Sequence, residues 1–147
     1  MKEFQPAYYQ MCKSSKIQDL WKAEIGDYCF IYENCSLLIK DVACYPNVDL
    51  VDLQFISGNF SFKDSVNWLP LQHQLYNVLL SNDKSERNIW SWSRRFTEFC
   101  NSFELAHQYR TDWEICWLAF IEHYLWNREW ESGEWIEKNF DNWLQQG

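Results

Sequence analysis

Thr111-Asp-Trp-Glu-Ile-Cys-Trp-Leu-Ala-Phe-Ile-Glu-His-Tyr-Leu-Trp126 is the stretch on which the fold turns. Its first four residues have the form of a capping box, in which the Thr111 hydroxyl meets the third amide of a helix and Glu114 reaches back. From Trp113 to Trp126 apolar side chains surround most of the helix, leaving Glu114, Glu122 and His123 as the main polar members. A helix that is apolar on nearly every side belongs in an interior, so this one is expected at the centre of the fold.

Upstream of it, two shorter helical patterns need a partner surface. Pro70 stands where a helix start tolerates it, and Leu71, Leu75, Val78 and Leu79 recur at helical spacing until Ser81-Asn82-Asp83. Ile89, Trp92, Phe96, Phe99 and Phe103 form a second stripe, which places Arg94, Arg95 and Glu98 elsewhere on the circumference. Downstream, Trp130-Glu-Ser-Gly-Glu-Trp135-Ile136 reads as two aromatic-anchored segments around a tight Ser132-Gly133 turn, followed by a short helix ending near Leu144.

The amino-terminal half reads differently. Tyr28 to Ile31 and Leu37 to Val42 are aromatic or β-branched and flank the polar Glu33-Asn34, which predicts a hairpin. Leu50 to Ile56 fits a further strand ended by Ser57-Gly58-Asn59, and Phe60 to Phe62 fits a fourth. Residues before Trp21 suit a short polar helix or an extended arm, with Pro6 and Ser14-Ser15 arguing against helix. The expectation is an α+β fold, a small antiparallel sheet from the amino-terminal half packed against three carboxy-terminal helices, in one domain over residues 1–147.

Composition is consistent with that size and class. The 147 residues include 28 Trp, Tyr and Phe but only 7 Gly and Pro, which disfavours linker-rich or low-complexity chains. A chain of about 150 residues buries close to 70% of its unfolded surface, enough to fold without a metal or disulfide staple. The net charge is -8, split -2, 0 and -6 over residues 1–50, 51–100 and 101–147. An acidic chain lacks the electrostatic footprint that binds phosphate backbones, so direct nucleic-acid binding is disfavoured and a basic protein partner favoured. The acidic excess equally suits a solvated face that keeps an aromatic-rich chain soluble.

The six cysteines, Cys12, Cys29, Cys35, Cys44, Cys100 and Cys116, contain no C-x-x-C pair and no compact histidine partner spacing. No metal or other cofactor is expected, and all six are expected as free thiols in a reducing cytosol, Cys116 buried on the central helix. The first residues carry an acid and polar groups where a secretory signal needs an apolar core, and the apolar run Ile115 to Ile121 is far short of a membrane span. A cytoplasmic protein without membrane contact is the expectation.

The order of certain motifs resembles a family of short uncharacterised proteins encoded by phages and prophages, mostly of low-GC Gram-positive bacteria. The pieces are Trp21 with Gly26-Asp27, then Trp68-Leu69-Pro70 followed by Gln72, Gln74 and Leu75, then Trp117-Leu118-Ala119-Phe120, and finally Tyr124, Trp130 and Gly133-Glu134-Trp135-Ile136. They span residues 21–136. The resemblance implies a phage or prophage accessory protein acting in the host cytosol, and it carries no catalytic residue.

Motifs that carry chemistry are few. The four glycines stand apart at 26, 58, 133 and 147, so no phosphate-cradling loop exists. Cys116 and His123 lie seven apart on one helix, about 10.5 Å along its axis, too far for a base to take the thiol proton. Cys100 and His107 meet only if the chain turns between them. A non-enzymatic binding protein is therefore favoured. One reading makes it an acidic inhibitor of a basic host protein that handles nucleic acid or serves defence, contacting it through Glu129, Trp130, Glu131, Glu134 and Glu137. The other makes it a binder of a nucleotide-like ligand, or a minimal enzyme, that stacks a base on Trp90 and meets phosphates with Arg94 and Arg95. Oligomeric state is not legible.

Overall fold

The structure is a computed structural model that describes residues 3–45, 48–53, 61–62, 66–82, 89–102 and 112–138. It divides into two units, Met1–Leu71 and Gln72–Gly147. Strands dominate the first and helices the second, which is the α+β composition read from the sequence. No helix among the described residues is long and apolar enough to cross a membrane.

The amino-terminal unit opens with helix α1 (Pro6–Lys13) and a 3₁₀ turn (Lys16–Leu20). Pro6 starts α1 rather than breaking it, because the first helical position needs no N–H donor and already wants the fixed φ of proline. Tyr8, Tyr9, Met11 and Cys12 of α1 are buried, and the Tyr8 hydroxyl donates to the Pro70 carbonyl at 2.6 Å.

Five strands follow: β1 (Tyr28–Phe30), β2 (Leu37–Tyr45), β3 (Val48–Leu53), β4 (Ser61–Phe62) and β5 (Asn67–Trp68). They form an antiparallel sheet ordered β4-β3-β2-β1-β5. The expected hairpin is β1–β2, with Tyr28 opposite Leu38, and Asn34 takes a left-handed φ of 66° in its loop. Between Ile39 and Asp41 the β2–β3 register shifts, so Lys40 is the extra residue of a bulge. Strand β5 has no counterpart in the sequence reading.

Two polar side chains tie this unit together. The Asp27 carboxylate, 6% exposed, accepts from Trp21 Nε1 and from the Glu24 amide, both at 2.9 Å. It closes the Glu24–Asp27 turn, whose third residue, Gly26, has φ +92°. Trp21 then stacks on Trp68, ring centroids 6.1 Å apart. Gln18 donates to the Cys12 and Trp68 carbonyls at 2.9 and 3.0 Å, and its Oε1 accepts from the Trp68 amide at 2.8 Å.

The carboxy-terminal unit contains α2 (Gln72–Asn82), α3 (Ile89–Ser102), α4 (Trp113–Trp126) and the hairpin of β6 (Arg128–Glu131) and β7 (Glu134–Glu137). Every residue of α4 from Ile115 to His123 is buried, so the centre of this unit is the stretch the sequence singled out. Its cap differs in one residue. Asp112, not Thr111, is the N-cap, and its carboxylate accepts from the Ile115 amide at 3.0 Å. Asn127 ends α4 in the left-handed region at φ 52°.

The buried stripe of α3 includes Trp92, Phe96 and Phe99, as expected, but Arg95 joins it at 3% exposure instead of facing away. The turn of β6–β7 is Ser132-Gly133, with φ of 51° and 82°, the two left-handed residues a tight hairpin demands. Phe103, His107 and the expected helix near Leu144 lie outside the described residues.

Candidate functional site

A cleft of about 420 Å³ opens between α3 and α4 in the carboxy-terminal unit. That volume is within the range of small-molecule sites. Helical spacing of four builds both of its walls. Phe96 and Cys100 come from α3, Trp113 and Trp117 from α4, and residues four apart stand above one another on a helix face. Along the same side of α3, Ser93, Thr97 and Asn101 supply uncharged polar groups, and Gln72 adds another from the start of α2.

The rings of the apolar wall pack on one another and on further aromatic side chains. Phe96 stacks on Trp117 with centroids 4.1 Å apart and planes 7° from parallel. Trp117 meets the edges of Tyr76 at 5.8 Å and Phe120 at 5.8 Å. Behind these, Trp92 packs edge-on against Tyr124 at 4.6 Å. Trp113, 50% exposed and 5.9 Å from the Phe96 ring, is the exposed ring of this wall.

Among the described residues the cleft lining holds no Asp, Glu, Lys, Arg or His. Among its described residues the ionisable group is the half-buried Cys100 thiol, with the buried Cys116 of α4 as its hydrogen-bonding neighbour. That contact lowers the Cys100 pKa, since the Cys116 S–H donates to the Cys100 thiolate, and it correspondingly raises that of Cys116. The described residues contain no group of three or more His, Cys, Asp or Glu suited to a metal.

Residues proposed from sequence are placed elsewhere. Trp90 is 80% exposed, and Arg94, four residues on, is exposed and paired with Glu98 at 3.7 Å. Arg95 is turned inward, and none of the three lines the cleft. On the hairpin, alternation separates the acids. Glu129, Glu131 and Glu134 share one face by the pairing of Glu129 with Ile136 and of Glu131 with Glu134. Trp130, Trp135 and Glu137 share the other. Lys138 Nζ binds Glu131 and lies 3.2 Å from Glu129. The two carboxylates, Glu131 first, raise the Lys138 pKa. Trp130 is half-buried, its ring 5.1 Å from that of Trp135.

Beneath the hairpin, Glu122 is fully buried and its carboxylate lies 3.1 Å from the Arg128 guanidinium. His123 beside it is 1% exposed, with Phe99 at 5.4 Å, and burial holds its pKa down at about 4.

The cleft was missed from sequence because its tryptophans and phenylalanines recur at the spacing of core residues. The signal that could have found it is the uncharged polar run Ser93, Thr97, Asn101, four apart and adjoining an aromatic stripe. Comparison with protein-family models, with curated proteins and with solved structures finds no match.

Proposed function

We propose that this chain is a non-enzymatic small-ligand-binding protein whose carboxy-terminal unit holds an uncharged, planar, hydrogen-bonding molecule in the α3–α4 cleft. The observation that carries this is the lining itself, an aromatic wall facing neutral amide and hydroxyl groups with no charged side chain among the described residues. Such a lining rewards stacking and edge hydrogen bonds, and none of its described side chains brings a positive charge to a phosphate. It therefore favours a nucleoside-like ring over the nucleotide that Arg94 and Arg95 suggested. In a phage or prophage accessory protein of the host cytosol, as the motif order suggests, such a site serves sequestration, which needs no catalytic group.

The test uses free nucleosides and the matching nucleoside monophosphates as probes of the full chain. A ligand that prefers the folded state raises its melting temperature by mass action, by about 2.7 kcal/mol of stability at a hundredfold excess over Kd. Nucleosides are expected to raise the melting temperature and quench tryptophan emission, monophosphates to do so less. Trp113→Ala should remove the effect and Trp90→Ala should not. Absence of any shift at millimolar nucleoside would end this reading.

A second reading is favoured by the exposure of Glu131, Glu134 and Glu137 on the hairpin, in the third of the chain that carries -6. In it the hairpin docks on a basic protein of the host or phage and blocks a groove built for phosphates. Capture of such a partner should weaken as salt rises. It should survive Trp113→Ala and fail when Glu134 and Glu137 are both changed to Gln; the reverse pattern would exclude the hairpin.

A further inference from the structure

The described lining of the α3–α4 cleft includes four neutral polar side chains that carry nitrogen or oxygen, Gln72, Ser93, Thr97 and Asn101. Three of them do not select by the sense of a hydrogen bond. A carboxamide has an oxygen that accepts and a nitrogen that donates, so Gln72 and Asn101 each hold both, and the Ser93 hydroxyl rotates to do either. Thr97 differs. Its hydroxyl donates to the Ser93 carbonyl, one helical turn back, at 2.9 Å. A hydroxyl has a single proton, so with that proton committed to the backbone Oγ1 offers only lone pairs. The same bond holds the oxygen over the turn between Ser93 and Thr97, two residues that both line the cleft.

We propose that Thr97 Oγ1 is the specificity-determining acceptor of the cleft, selecting neutral planar rings that carry an exocyclic amino group, as adenine and cytosine do, over their oxo counterparts hypoxanthine and uracil. This rests on the reading of the cleft as a site for an uncharged ring. An amino hydrogen of the ligand donates to a lone pair of Oγ1 and leaves the bond to Ser93 intact. A ring carbonyl in the same place brings a second acceptor. Either two sets of lone pairs then oppose one another, or the hydroxyl turns from Ser93 to the ligand and exchanges one bond for another. The amino ligand is ahead by one net hydrogen bond, which corresponds to about two- to tenfold in affinity.

The rest of the lining narrows the class further. A cationic amidinium or guanidinium is recognised by carboxylates, and the described lining holds none. The selected amine is therefore uncharged and conjugated to its ring, as in an aminopurine or aminopyrimidine. In such rings the atom beside the amino-bearing carbon is a nitrogen that accepts, and a carboxamide matches a neighbouring amine and ring nitrogen with its own oxygen and nitrogen. Gln72, at the first turn of α2, has a carboxamide of this kind. Thr97 is exposed on α3, so replacing its side chain opens no cavity in the core.

The test titrates two matched pairs of nucleosides, adenosine with inosine and cytidine with uridine, against the full chain and follows tryptophan emission. Within each pair an amino group is exchanged for an oxo group on the same ring. Adenosine and cytidine are expected to bind about two- to tenfold more tightly than their partners. Thr97→Val, which puts a methyl where the hydroxyl stood, should bring adenosine down to the level of inosine. Thr97→Ser, which keeps both the oxygen and its bond to the residue 93 carbonyl, should keep the preference. Equal affinities within both pairs in the wild type overturn the role of Thr97 and leave the cleft reading standing, as does an amino preference that survives Thr97→Val. No quenching by any of the four nucleosides removes the cleft reading and the role of Thr97 with it.

Discussion

Phe96 of α3 and Trp117 of α4 stack face to face at 4.1 Å, and the same two rings serve as hydrophobic core on one side and cleft wall on the other. Stability and binding are therefore coupled at this pair. A double-mutant cycle with Phe96→Leu and Trp117→Leu is expected to show an interaction of about 0.5–1.5 kcal/mol beyond the loss of buried area, measured by urea unfolding. Strict additivity of the two substitutions would mean that the rings merely adjoin.

Acid should loosen the carboxy-terminal unit through His123. Its folded pKa of about 4 is below its ordinary 6.5, so between those values the unfolded chain binds a proton that the folded chain refuses. This contribution is fully present above about pH 6.5 and is lost as the pH falls toward 4, with a slope of up to about 1.4 kcal/mol per pH unit. Urea midpoints of the wild type and of His123→Gln, followed across that window, should converge on acidification. Parallel curves would show that His123 is not the group responsible.

Removing Glu122 should be costly. Glu122→Ala leaves the Arg128 guanidinium, 14% exposed, without its carboxylate, and breaking a buried pair in this way costs about 3–5 kcal/mol. A joint replacement, Glu122→Leu with Arg128→Leu, should recover much of the loss. A single substitution that leaves the denaturation midpoint unmoved would put the pair in contact with water.

At the start of α4 the prediction separates neighbouring side chains. Asp112→Ala should cost about 0.5–2 kcal/mol by freeing the Ile115 amide, whereas Asp112→Asn, which caps nearly as well, should cost little. Equal losses for both would argue that charge rather than the hydrogen bond matters there.

What could be read from the sequence was what local chemistry determines. The helix Trp113–Trp126 announces itself by its apolar girth, and the β6–β7 hairpin by Ser132-Gly133, which can take the left-handed turn. Thr111 and Asp112 are both competent caps, and only the path of the chain selects the second. Strand β5 has two residues and no pattern of its own. It exists because Cys29 and Phe30, far away in sequence, pair with Trp68 and Asn67. Arg95 misled because charge is read as exposure, while helix geometry sets it among Trp92, Phe96 and Phe99. The cleft was illegible for a related reason, since a packed ring and a wall ring have the same spacing.

The grip of Gln18 on Trp68 also governs how the sheet meets other chains. An outermost strand offers bare amides and carbonyls on which a foreign strand can template itself, and many β-proteins aggregate by that route. Here both outward backbone groups of Trp68 are already taken by one side-chain amide. A side chain pairs once and has no following residue to continue the ladder, so the ladder stops at Gln18 on this edge. Any strand seeking that edge must first evict Gln18.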